Sequence, residues 1–156
     1  MTDAEPSLPS PRDQIDIVDA LYRFGAGVDF GDQALLASVF HDEVVVDFGP
    51  CGRKMGLPFP VMNGSETIVG FLAGTSVTQT TTHVITNGRV QVAGETARLQ
   101  ALVDATHIAK GDPSRQCRMM NWYAAELGRH ARLWRIRHLV IDNAWFTGDP
   151  AVLMER

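Results

Sequence analysis

The spacing of apolar residues changes period once along this chain, and that change limits the folds open to it. Up to about Leu72, apolar or small residues recur in steps of three and four, the signature of helices with one buried face. From Thr80 onward they alternate instead. Leu99, Ala101, Val103, Ala105, His107 and Ala109 share one face, while Arg98, Gln100, Asp104 and Thr106 fall on the other. Period two over that length predicts a long half-buried strand. Helices followed by a meander of antiparallel strands define an α+β layout, with helices packed on one face of a curved sheet.

The helical part has clear punctuation. Ser10 suits an N-cap, Pro11 the first helical position, and Asp13 the positive end of the dipole. Ile15, Val18, Tyr22, Gly25 and Asp29 then form one stripe, broken by Gly31-Asp32. A second helix is predicted over 33–40, with Leu35, Leu36, Val39 and Phe40 as its core side, and a short strand over 44–48. Gly49 to Gly64 holds four glycines and three prolines and reads as a long lid or binding loop. Asn63 or Ser65 would cap a third helix running to about Leu72. In the second half, Val90 to Val92 makes a hairpin with the Leu99 strand through Ala93-Gly94-Glu95. Two further strands, 116–127 and 134–141, join across Gly128 to Arg132.

Size and charge narrow the function classes. The 156 residues, 45% of them hydrophobic, suit one domain with one core. The expected division is a disordered lead-in over 1–10, a single domain over 11–150 and a tail over 151–156. Fourteen Lys and Arg against eighteen Asp and Glu give a net charge of −4, which argues against a general nucleic-acid binder. Seven of the fourteen basic residues lie between Lys110 and Arg137, a distribution that solvated hairpin edges explain. Cys51 and Cys117 form no metal-like spacing and no disulfide framework, so a reducing, cytoplasmic setting is expected. The N-terminus has neither a basic nor an apolar signal region, and no apolar run is long enough to span a membrane.

Three polar residues stand where the pattern calls for apolar or small ones. Asp29 lies on the helix stripe and His107 on the apolar strand face. His83 sits in the Thr-rich strand entry Thr80-Thr81-Thr82-His83. A buried ionisable group without a partner is costly, so such groups tend to find one another. A carboxylate beside an imidazole fixes the ring's tautomer and raises its basicity, as proton abstraction near neutral pH requires. Core packing accounts for any one of them alone; three on separate elements point to a site. They are also the residue types of a facial iron triad, but their wide spacing resembles no metal motif, and no metal is expected. Phe24, Phe48, Trp122 and Trp145, with Tyr22 and Phe30, would wall an apolar pocket for a ring-bearing ligand.

The run Ala20-Leu21-Tyr22-Arg23-Phe24 through Val28-Asp29-Phe30-Gly31-Asp32 to Phe40 resembles the opening of the SnoaL-like branch of the NTF2-like superfamily. Thr82-His83-Val84-Ile85-Thr86-Asn87 resembles its His-containing strand entry, and Tyr123 to Glu126 with Trp134-Arg135-Ile136 its closing hairpin. The likeness covers about residues 12–148 and is nearest to scytalone dehydratase. It implies a cystatin-like cone, a curved antiparallel sheet with the N-terminal helices on its concave face. It also implies cofactor-independent elimination or isomerisation on a small cyclic or aromatic carbonyl compound, of the kind met in polyketide or aromatic metabolism. In that family a helix Asp pairs with a His on a long strand while a second His assists. Those roles would fall on Asp29, His107 and His83.

Val28 and Phe48 stand where the family's dehydratases carry carbonyl-activating tyrosines, and neither can donate a hydrogen bond. Phe24, Val28, Phe48, Met120, Asn121, Trp122 and Trp145 are the expected substrate contacts. A homo-oligomer, dimer or trimer, is expected, with no nucleic-acid or membrane partner. Two other readings stay open: a non-catalytic subunit resembling the β subunit of ring-hydroxylating dioxygenases, and a ligand-binding protein with an inert pocket.

Overall fold

The computed structural model describes residues 8–156; the lead-in expected over 1–10 falls mostly outside the described residues. Helix α1 (Pro11–Phe30) starts where the Ser10 hydroxyl accepts the Asp13 amide at 3.0 Å. It stops at Gly31, whose φ of 64° lies in the left-handed region that glycine enters without penalty. Its buried face is Ile17, Ala20, Leu21, Phe24 and Val28, whereas Ile15 and Tyr22 face solvent. Of the expected stripe, Val18, Gly25 and Asp29 do face inward, and only Ile15 and Tyr22 lie off the buried face. Polar anchors set the true rotation. Asp13 accepts from Arg129 at 2.8 Å and from the Trp134 indole at 3.2 Å, and Arg23 donates to the Trp134 and Ser38 carbonyls.

Helix α2 (Gln33–Val39), capped by Asp32, buries Leu36 and Val39 and leads directly into strand β1 (Phe40–Asp47). The stretch expected as a lid folds instead. Pro50 opens a short helix α3 (Gly49–Met55), Gly56 closes it at φ 71°, and Val61–Asn63 adds strand β2 to β1. Cys51 and Met55 sink into the core, which gives that segment an apolar anchor a mobile loop would lack. Helix α4 (Ser65–Thr78) is capped by Gly64 without a side-chain bond, and runs six residues past its expected end.

Four long strands follow: β3 (Gln79–Ala93), β4 (Thr96–Ala109), β5 (Gln116–His130) and β6 (Leu133–Gly148). The six strands form one curved, unclosed sheet in the order β2-β1-β6-β5-β4-β3. The sheet is not wholly antiparallel, because β1 lies parallel to β6. That is the cost of bringing the first strand in the chain beside the last, since a parallel neighbour needs a crossover and here the crossover is most of the fold. On β4 the predicted alternation holds residue for residue from Leu99 to Ala109.

Residues 151–156, expected as a tail, begin within a 3-10 helix, Pro150–Met154, that buries Val152 and Leu153. Three of the seven basic residues between Lys110 and Arg137 are ion-paired, Arg118 with Asp104, Arg129 with Asp13 and Glu95, and Arg115 with Asp149 and Glu155.

Candidate active site

An apolar cavity lies between the helices and the inner face of the sheet. Phe24 and Val28 of α1, Phe48, Phe59 and Phe71 give it a mostly hydrocarbon wall, and His83, His107, Asn121, Tyr123 and Arg156 supply polar groups. Asp29 lies behind His83, in the last turn of α1. A carboxylate there meets the negative end of the helix dipole, an unfavourable placement by about 0.3–1 kcal/mol. Three donors hold it: His83 Nδ1 at 2.7 Å and the Thr81 hydroxyl at 2.8 Å, both to Oδ1, and the His83 amide at 2.9 Å to Oδ2. Burial pushes the Asp29 carboxyl up, but the His83 bond and charge, with the Thr81 and backbone donors, outweigh it. The net effect holds the group below its usual value.

The dyad is therefore Asp29–His83, not the expected Asp29–His107. Strand register explains the change. His83 and Thr81 point inward from β3, the strand against which α1 packs, while His107 lies across Thr81 on β4, one strand further away. The reach of an aspartate extends to the near strand. With Nδ1–H given to the carboxylate, His83 presents Nε2 to the cavity, and among the described residues that nitrogen has no protein partner.

His107, 8% exposed, has a different partner. Its Nδ1 lies 2.7 Å from Gln79 Oε1, and Gln79 Nε2 donates to the Glu155 carbonyl at 2.9 Å. A carbonyl only accepts, so the Gln79 amide is fixed with its oxygen toward His107, and Nδ1 must carry the proton. Burial, then the nearby His83, depresses the His107 pKa to about 3. The ring is neutral at physiological pH, and its Nε2 is a hydrogen-bond acceptor. The two imidazoles stand edge to face, 5.6 Å between centroids.

Two donors on β5 complete the polar set. Asn121, 2% exposed, receives Asn143 Nδ2 on its Oδ1 at 2.9 Å. Asn143 Nδ2 also reaches the Trp145 carbonyl at 2.9 Å, so it is surrounded by acceptors and its orientation is set. Asn121 thereby turns its own NH2 away from that network. Two residues along the same face, Tyr123 is 4% exposed and lines the cavity, and among the described residues its hydroxyl has no hydrogen-bond partner. Burial raises the Tyr123 pKa, so the hydroxyl keeps its proton. The Cys51 thiol, pushed up to about 12 by burial, is no nucleophile at neutral pH.

Of the expected substrate contacts, Phe24, Val28, Phe48 and Asn121 line the cavity. Met120, Trp122 and Trp145 do not. Odd-numbered residues of β5 face inward around Asn121, which puts Met120 and Trp122 on the outer face, and Trp145 pairs with Met120 there. Tyr22 and Phe30 are exposed on α1 for the same reason of phase. Gln79, Thr81, Tyr123 and Arg156 were not singled out. Gln79 and Thr81 precede His83 by four and two, so carrying the alternation back from His83 would have found both.

A curved sheet with helices packed against it, and a carboxylate-backed imidazole lining the cavity between them, is an α+β architecture of the cystatin-like kind. The chain belongs to the SnoaL-like domain family, which matches residues 10–140. It is similar to terrestric acid biosynthesis cluster protein E of Penicillium crustosum, 28% identical over 151 residues, covering 92% of this chain and 91% of that protein. A Novosphingobium aromaticivorans structure provisionally named a scytalone dehydratase superposes with a TM-score of 0.76 at 15% identity, covering 88% of each chain. Hexachlorocyclohexane dehydrochlorinase LinA-type3 of Novosphingobium barchaimii superposes with a TM-score of 0.73 at 17% identity, covering 89% of this chain and 91% of that one. At such identities the superpositions establish the shared fold, the NTF2-like cone that the sequence resemblance implies.

Proposed function

We propose that the protein is a cofactor-independent lyase or isomerase acting on a small cyclic or aromatic carbonyl compound. The observation that carries this reading is the 2.7 Å Asp29–His83 bond, which leaves His83 Nε2 facing an apolar cavity. Nε2 removes a proton from the carbon next to the substrate carbonyl, and Asp29 stabilises the imidazolium that forms. The electron pair moves onto the carbonyl oxygen, giving an enolate held by Asn121 Nδ2 and the Tyr123 hydroxyl. These two donors replace the tyrosines missing at Val28 and Phe48. Collapse of the enolate forms the C=C bond and breaks the bond to a β-hydroxyl, which leaves as water with the proton from His83. Returning that proton to another carbon gives isomerisation. His107 accepts a hydrogen bond from a substrate hydroxyl and so orients it, reversing the roles expected for the two histidines.

Support comes also from the company the fold keeps. A dehydrochlorinase and a provisionally named dehydratase share it, and the Penicillium relative is named for a biosynthetic cluster. General-base catalysis contributes about 10²–10⁴ in rate. The direct test is deuterium exchange at the α-carbon of cyclic and aromatic ketones in D2O, followed by NMR. Wild-type protein should catalyse it and His83→Gln should lose at least a hundredfold. Exchange in His83→Gln within threefold of wild type would sink the reading, and absence of exchange from wild type over a broad ketone panel would favour an inert binding pocket.

A further inference from the structure

Arg156 is the charged group in the cavity lining that this chemistry does not use. The residue as a whole is exposed, yet its guanidinium lies over the Phe71 ring, 3.9 Å from the centroid, and Nη1 donates to the buried Thr75 hydroxyl at 2.7 Å. Burial lowers its pKa, so part of its hydration has been lost. Among the described residues no carboxylate comes within ion-pairing distance of it. The neighbouring Glu155 would be the natural partner, but its side chain is taken by Arg115. Glu155 is held in turn by its carbonyl, which accepts from Gln79 Nε2 at 2.9 Å and from the Thr78 hydroxyl at 3.1 Å. The contact that orients His107 therefore also fixes where Arg156 begins.

Asp29 carries the opposite charge but is enclosed by its three donors behind His83, and His107 is neutral, so Arg156 meets the phenylalanine wall with no counter-ion in contact among the described residues. A guanidinium uses one N–H on Thr75 and stacks on Phe71, which fixes its plane and leaves N–H groups free in a fork that suits a carboxylate. A phosphate dianion would call for a second cation, and none lines the cavity.

We infer that Arg156 is a specificity residue, and that the substrate carries a carboxylate seated on it while the reacting carbon faces His83. This rests on the lyase or isomerase reading and names its substrate class. Catalysis would then be confined to ring-bearing carboxylic acids, since a neutral analogue would leave the guanidinium unpaired and the reacting carbon unregistered.

The test uses benzoate and its neutral isostere benzamide as probes, titrated calorimetrically into the full chain at 150 mM salt. Wild-type protein should bind benzoate at least tenfold more tightly, and Arg156→Gln should bring the two within twofold while melting as wild type. Arg156→Lys, which keeps the charge but not the fork, should fall between. Equal binding of the two probes by wild type, no binding of either, or a preference that survives in Arg156→Gln overturns the assignment. His83→Gln separates the two levels. It should keep the benzoate preference while losing α-proton exchange; preference without His83-dependent exchange overturns only the reaction, and exchange without preference only the role of Arg156.

Discussion

Gly25 lies directly against His83. A Cβ built at Gly25 would stand 3.0 Å from His83 Cβ and 3.0 Å from Ile85 Cδ1. The missing side chain lets α1 come close enough to β3 for Asp29, one turn further along, to reach the imidazole. Gly25→Ala should push the helix outward by a few tenths of an ångström and loosen the 2.7 Å bond. Overpacking of this kind costs about 1–3 kcal/mol. The diagnostic result is a fall in kcat of tenfold or more, larger than a melting shift of a few degrees would suggest, with KM little changed. Unchanged kcat would mean that this close approach serves packing alone.

Asp29 orients His83 rather than reacting itself. Asp29→Asn keeps the shape but can turn an NH2 toward Nδ1, which favours the tautomer with its proton on the wrong nitrogen. A loss of about 10³–10⁴ in kcat is expected, by analogy with other carboxylate-backed histidines. Thr81→Val removes one of the three donors to Asp29 and should cost about tenfold. Steady-state kinetics of both variants tests the order; a Thr81→Val enzyme slower than Asp29→Asn would contradict it.

How far the sequence exposed this site depended on which pattern carried the information. Alternation on β4 placed His107 inward without ambiguity, because period two admits only two phases and one of them is apolar throughout. Asp29 and His83 stood out as polar exceptions. Their pairing did not, since which strand lies under α1 depends on sheet order, a long-range property that no local period encodes. The stripe on α1 misplaces Ile15 and Tyr22 for a related reason: both are apolar enough to extend either face, and the rotation is chosen by Asp13 and Arg23 bonding to β5 and β6 residues far along the chain. Trp122 and Trp145 suggest a pocket wall by residue type and Met120 by family resemblance, and the phase of β5 overrules both. Tyr123 sits in the family-like hairpin yet reads as a core aromatic, because nothing local shows that its hydroxyl lacks a partner.

Acid should destabilise the fold through His107. Its pKa is about 3 when folded and near 6.5 when unfolded, so between those values the unfolded chain binds a proton that the native state refuses. Its contribution to stability is complete above pH 6.5 and falls as pH drops toward 3, by up to about 1.4 kcal/mol per pH unit. His107→Gln, which cannot titrate, should flatten this part of the curve. Asp29, whose pKa is lowered, adds its own loss only below about pH 4, where the unfolded carboxylate begins to protonate. Urea melts of wild type and His107→Gln between pH 4.5 and 7.5 separate the two; parallel curves would show that His107 is charged in the native state.

Tyr123 offers a test in which stability and activity move independently. Its hydroxyl lines the cavity and has no protein partner among the described residues, so the fold draws no hydrogen bond from it. Tyr123→Phe removes only that oxygen and keeps the ring packed edge-on to Phe24. The variant should melt no lower than wild type. If the hydroxyl holds the enolate oxygen, kcat should fall by about 10²-fold, the scale of one oxyanion donor. Asn143→Ala should act on the same oxygen indirectly, by freeing the Asn121 amide to turn, with a smaller loss in kcat and some loss of stability because Asn143 also bridges two strands. A Tyr123→Phe enzyme that is both as stable and as fast as wild type would leave Asn121 alone to polarise the carbonyl. One that is less stable would place the hydroxyl in a structural bond instead.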